Sequence, residues 1–301
     1  MKIKNKTNNS NFLKKIFIKL SRFFGFEIID QSNFYLPTSD KYGYQNLSKI
    51  GKESLVIPMG RTKITRPIKS LDIILRTCTS VNMLTQSKQR IFEKEKSEYS
   101  YKTLNSIINS INNNKLLFER IKLKITIVDH NSDNKILEKF STLLNKQFFN
   151  NEIIKLDIDF YKKQINKVNE EGKEVTKNQV SNMSNIHQSF DIAKNCEDLV
   201  YFVEDDYLHK LESIEEMIFT YEKISSQLNQ ELILCPSDYP YLYNNIQKSN
   251  IFLGNKYHWR SVEESLCTFL TSSKLLNKHW IEFTNACKTE HYPFEKPFHN
   301  I

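Results

Sequence analysis

An α/β fold, a single domain with a mixed central sheet and helices on both of its faces, is predicted by three features of the sequence. From residue 70 onward, short apolar runs alternate with segments whose apolar residues recur at helical spacing. The runs end in acids, hydroxyls and turn residues, as strands do where they leave a core. Hydrophobic residues make up 39% of the 301 residues and include 20 Phe and 14 Tyr, enough for a sizeable core despite a polar mean hydropathy.

The elements follow in order. Residues 11–26, NFLKKIFIKLSRFFGF, place Phe12, Leu13, Ile16, Phe17, Leu20, Phe23 and Phe24 at helical spacing with Lys14, Lys15, Lys19 and Arg22 between them. Such a basic amphipathic helix either lies on an anionic membrane surface or docks its apolar face on the body of the protein. Residues 31–67, with Pro37, Gly43, Gly51, Pro58 and Gly60, have turn residues and little periodicity. Residues 1–67 are therefore expected to form an appendage of helix and loop-rich lead-in, and residues 68–301 the α/β domain.

The first core strand is expected in SLDIILRTCTSV, starting at Ser70. A surface helix over 97–112 puts Tyr101, Leu104, Ile107, Ile108 and Ile111 on one face. KLKITIVDHNSD supplies a second strand ending at Asp129, followed by a helix over 134–146 and a third strand over 153–160. The polar stretch 161–179 reads as a surface excursion. NMSNIHQSFDIAKN then gives a helix, and LVYFVEDDYLH a fourth strand that ends in acids. A helix over 214–228, a strand in ELILCPSDY, the segment 251–272 and a helix over 274–288 complete the series.

The formal net charge of +8 favours an anionic partner, and nucleic acid, an acidic membrane or a phosphorylated sugar donor would each serve. No long basic block appears, as on an ordinary solvated surface. Five cysteines, widely spaced and without a C-x-x-C pair, suggest neither a disulfide framework nor a zinc knuckle and fit a reducing cytoplasm. No apolar run approaches the length of a membrane span, and the first ten residues lack a signal-peptide core.

The chemistry is expected at Glu204-Asp205-Asp206. Three carboxylates directly after a buried strand repel one another and are costly to desolvate, and a divalent cation with hard oxygen ligands, Mg²⁺ or Mn²⁺, removes that cost while bridging to a diphosphate. In an open α/β sheet, ligands bind beyond the carboxyl ends of the strands, where this triplet falls. Asp129 ends a neighbouring strand, and Arg76, Thr77 and Thr79 end another. Together they could hold a nucleotide, with Arg76 near phosphate. The plain alternatives are an acidic turn in water for the triplet and a helix N-cap for Asp129.

The succession LDIILRTCTSV, KITIVDHNSD, helix, VYFVEDDY resembles family-2-like glycosyltransferases and, over roughly residues 70–301, their Rossmann-like A-type glycosyltransferase fold. The resemblance implies transfer of a sugar from a nucleoside-diphosphate donor to a saccharide or glycolipid acceptor, in polysaccharide or glycolipid synthesis. Glu204-Asp205-Asp206 looks like a variant D-x-D motif with Glu first. By that analogy Asp206 binds the metal, Glu204 or Asp205 the donor ribose or metal, and Asp129 the base. The base that deprotonates the acceptor is expected at Glu290 or Glu295, with Asp238 as an acceptor-side alternative, although the usual Glu-Asp pair is missing. The chain stops soon after Glu295, consistent with a missing C-terminal portion. Arg260 could meet the diphosphate, and Trp259 either a sugar ring or the core.

Other classes fit the residues less well. A sugar-phosphate nucleotidyltransferase should carry a Gly-rich phosphate loop, and RTCTSVNML has no glycine. The 6 glycines of the whole chain also argue against dinucleotide and P-loop sites. A non-catalytic basic protein binding nucleic acid or membrane would leave the triplet incidental, and no RNA-recognition or zinc-finger signature supports it. The expectation is a cytoplasmic enzyme without a nucleic-acid partner, in which residues 11–26 either make peripheral contact with the inner face of the cell membrane or dock on the body of the protein.

Overall fold

A computed structural model describes residues 12–26, 62–80, 95–237, 249–264, 268–292, 294–299 and 301. The chain divides into two compact units, Met1–Arg61 and Thr62–Ile301. In the first, α1 spans Phe12–Phe23. It ends at Gly25, whose φ of +82° suits a residue without Cβ, and the Phe26 N–H donates to the Ser21 carbonyl at 2.9 Å, closing a Schellman-type cap.

The second unit is α/β. Its sheet has the order β3-β2-β1-β4-β7, made of β1 (Ser70–Thr77), β2 (Lys122–Asp129), β3 (Asn150–Lys155), β4 (Leu199–Glu204) and β7 (Phe269–Ser272). The first four strands are parallel, and β7 joins β4 antiparallel. Alternate residues of the strands face opposite ways. On one side Leu71, Ile73, Leu75, Ile125, Ile127, Tyr201 and Val203 pack against helices α2 (Lys96–Asn113), α3 (Asn134–Leu144) and α6 (Ser213–Leu228). On the other, Ile74, Val128, Val200, Phe202 and Phe269 meet α5 (Lys177–Ala193), α7 (Ser273–Lys278) and α8 (Trp280–Lys288). Phe190, Phe202, Phe269, Phe283 and Phe298 form an aromatic cluster there, with Phe190 and Phe202 edge to face at 5.0 Å. Each such buried ring contributes roughly 1.5–3 kcal/mol relative to exposure.

Within this unit, the residues just before β1 are tied to its body. Backbone N–H groups of Thr65 and Arg66 donate to Ser226 Oγ, and the Arg66 guanidinium bridges Asp198 and Glu231.

Three expected elements differ. The third strand lies at Asn150–Lys155, because Asp157 caps a short helix, α4 (Ile158–Tyr161), by accepting the Phe160 N–H at 3.0 Å. ELILCPSDY is not a strand among the described residues; Leu234 makes an isolated bridge to Leu270, and Pro236, lacking an N–H, cannot extend the ladder. The helix over 274–288 is two helices, α7 and α8, broken at His279 with ψ of 36°. The excursion 161–179 holds a bridge between Val168 and Glu174 and buries Ile165 and Val175. Between α6 and β7 lies a hairpin of β5 (Ile251–Leu253) and β6 (His258–Arg260).

Candidate active site

The sheet turns in chain order at β1: β2 and β3 lie on one side of it and β4 on the other. The crevice beyond the carboxyl ends of β1 and β4 is thus the topological switch point, where open α/β sheets bind ligands. Strand register decides which residues meet there. Thr77 lies opposite Asp129, and Arg76 opposite Glu204. Asp129 and Glu204 stand two strand spacings apart, about 10 Å.

Asp129 is buried and held from two sides. Thr77 Oγ1 donates to its Oδ1 at 2.7 Å, and the Ser132 N–H donates to its Oδ2 at 3.1 Å. The turn that returns Ser132 needs Asn131 at φ 62°, a conformation that Asn tolerates. Each carboxylate oxygen keeps a further lone pair for a ligand. Next to it, His130 Nδ1 lies 2.6 Å from Ser181 Oγ on α5, and burial lowers the imidazole pKa.

The triplet divides by direction. Glu204, at the end of β4, has a side chain 36% exposed and accepts from Arg76 Nη2 at 2.6 Å. Arg76 is itself buried and donates through Nη1 to Asn182 Oδ1 at 3.0 Å. Its guanidinium thereby orients Glu204. Asp205 is also buried, with Lys96 Nζ 2.8 Å from Oδ1 and Ser100 Oγ donating to Oδ2 at 2.6 Å. Asp205, expected at the ribose or metal, thus makes an internal ion pair with the first turn of α2. Asp206 is exposed.

The base candidates are dispersed. Glu290 is buried, and its Oε1 accepts from Gln179 Nε2 at 2.8 Å. Gln179 lies about one helical turn before Asn182 on α5, so one face of that helix connects Glu290 to the Arg76–Glu204 pair. Glu295 is buried where it leads into the short 3-10 turn Lys296–Phe298. Asp238 lies outside the described residues. Arg260 ends the β5–β6 hairpin, partly buried. Trp259 Nε1 donates to Glu216 Oε1 at 3.0 Å, and the same carboxylate accepts the N–H groups of Asn255, Lys256 and Tyr257. Trp259 is thereby fixed in the base of the hairpin. Beside it a cavity of about 940 Å³ is lined by Tyr207, His209, Met217, Cys235, Trp259 and Arg260, among others.

Sequence reading missed Lys96, Ser100, Gln179 and Asn182. For the last two a signal existed. Thr176 accepts the Gln179 N–H at 3.2 Å, and Thr-x-x-Gln is the spacing of a capping box, which starts α5 five residues before the expected helix. Lys96 has no such signal, since only the fold brings it to Asp205.

Among the described residues no three His, Cys, Asp or Glu converge on a metal position. The two outward carboxylates, Glu204 and Asp206, nevertheless suit a hard cation that takes one or two carboxylates and completes its shell with substrate phosphate and water.

Neither a protein-family model nor a curated protein matches this chain. Among solved structures it is similar to two crystal structures of S. aureus TarS. One has 13% identity and a TM-score of 0.37, over 70% of this chain and 29% of that one. The other, of residues 1–349, has 12% identity and a TM-score of 0.38, over 70% of this chain and 49% of that one. The chain thus spans less than half the length of each. A likeness of this degree bears on neither activity nor substrate. No helix among the described residues is long and apolar enough to cross a membrane.

Proposed function

We propose that this chain is a metal-dependent glycosyltransferase that moves a sugar from a nucleoside-diphosphate donor to a hydroxyl of a saccharide or glycolipid. The observation that carries the reading is that Asp129 ends β2 and Glu204 ends β4, the parallel strands on either side of β1, with Asp206 just beyond β4, around the switch point of the sheet. Asp129, fixed by Thr77 and Ser132, accepts hydrogen bonds from the nucleobase. Glu204, steadied by Arg76, and the exposed Asp206 would hold Mg²⁺ or Mn²⁺ against the diphosphate. The cation, when bound, neutralises charge on the departing diphosphate.

Glu290 takes the proton of the acceptor hydroxyl as it attacks the anomeric carbon, with Gln179 setting its orientation. Glu295 is the alternative base.

The test is release of nucleoside diphosphate from a panel of UDP- and GDP-sugars in the presence of Mn²⁺. Donor turnover that Asp206→Asn abolishes supports the site. Loss of turnover in Glu290→Gln with retained donor affinity assigns the base, and full activity of that variant transfers the role to Glu295. No turnover of any donor by folded protein, with the metal present, speaks against the whole reading.

A further inference from the structure

The chain's net charge is not shared evenly. The first 26 residues contain seven Lys and Arg and no Asp or Glu, while the rest of the chain carries 36 of the one against 35 of the other. Nearly the whole excess of +8 therefore belongs to the segment that contains α1. Projected at 3.6 residues per turn, Phe12, Leu13, Ile16, Phe17, Leu20, Phe23 and Phe24 fall within an arc of about 140°, and Lys14, Lys15, Lys19 and Arg22 within an opposite arc of similar width. Ile18 is the one apolar residue in the basic arc. On the apolar side Phe17 is 60% exposed, Leu20 56% and Phe23 85%, with Phe24 and Phe26 beyond the helix also exposed. Isolated exposed hydrophobics are ordinary, but a continuous aromatic stripe on one helix face marks a binding surface.

We propose that α1 binds the surface of an anionic lipid bilayer, lying in its plane with the aromatic stripe at the boundary of headgroups and acyl chains and the lysines among the phosphates. Both arcs choose this occupant. A hydrophobic protein groove would cover the aromatic arc without needing a cationic back, and a nucleic acid would use the cationic arc while leaving the aromatics in water. An anionic bilayer engages both at once. The helix is about 18 Å long at 1.5 Å per residue, which excludes a crossing of a hydrocarbon core of about 30 Å. Gly25, by ending the helix after three turns, keeps it to this interfacial length. The inference is independent of the glycosyltransferase reading, since it concerns the other unit.

The experiment is sedimentation of the full chain with vesicles of phosphatidylcholine alone and of equimolar phosphatidylcholine and phosphatidylglycerol, at low and high salt. Binding to the mixed vesicles, weaker on neutral ones and reduced by salt, is expected. Lys15→Gln/Lys19→Gln should weaken it roughly thirtyfold, and Phe17→Ser/Leu20→Ser should abolish it at either salt. The urea midpoint of the α/β unit should be the same in all three proteins. Absence of sedimentation with anionic vesicles, or equal binding to both compositions, overturns the proposal. A fall in the urea midpoint in Phe17→Ser/Leu20→Ser gives the stripe to the body of the protein, and a dimer that this variant dissociates gives it to a second copy; either result also overturns it.

Discussion

Replacing Lys96 by Met isolates the charge of Asp205. The two groups lie 2.8 Å apart and both are buried, Lys96 at 7% exposure and Asp205 at 5%. Removing one partner of a buried pair leaves an uncompensated charge, which costs about 3–5 kcal/mol. In a unit the size of Thr62–Ile301, where each kcal/mol moves Tm by about 2–4 °C, the loss becomes roughly 6–20 °C. Ser100 Oγ, the other partner of Asp205, offsets only part of this with a single hydrogen bond. The measurement is urea denaturation of Lys96→Met beside Lys96→Met/Asp205→Asn. The double variant should recover most of the loss, since a neutral amide still accepts from Ser100. A single variant within about 1 kcal/mol of the parent would falsify the argument that this pair is desolvated.

Further predictions concern packing and pH. His209 is partly buried between Tyr201 Oη, 2.9 Å from Nε2, and Ser106 Oγ, 3.3 Å from Nδ1, and its loss of solvent lowers its pKa to about 4. The unfolded chain therefore binds the extra proton first, and stability should fall with pH between about 6.5 and 4, by up to about 3 kcal/mol from this group. In His209→Gln, denaturation midpoints across that range should lose this slope; an unchanged slope refutes the assignment. Gly254→Ala would drive a Cβ into the Glu216 carboxylate and to 2.6 Å from Thr220 Oγ1, displacing the acceptor that holds the hairpin turn. A destabilisation of about 1–3 kcal/mol by the same denaturation assay is expected, and a neutral substitution contradicts the close approach.

Much of the fold was legible because each strand and helix signals itself locally. Leu71, Ile73 and Leu75 against Ile74 define a strand buried on two faces, and Leu104, Ile107, Ile108 and Ile111 keep the period of a half-buried helix. Reading failed where a single side chain overrode the pattern. Asp157 stops the third strand by capping α4, Pro236 leaves ELILCPSDY with one bridge, and the backbone at His279 divides the last helix. At the site, the acids at strand ends could be read, since a carboxylate after an apolar run is a local fact. Which acid turns inward could not, because Lys96 and Asn182 reach Asp205 and Arg76 only through the tertiary fold.

The central claim, a metal-linked nucleotide site at the ends of β1, β2 and β4, is tested most directly by calorimetric titration with a panel of nucleoside diphosphates, with and without Mn²⁺, on the parent protein and Asp206→Ala. The account predicts that one nucleotide binds in a metal-dependent way and that the variant loses this binding while keeping its fold. Equal binding by parent and variant, or none by either with the protein folded, contradicts it.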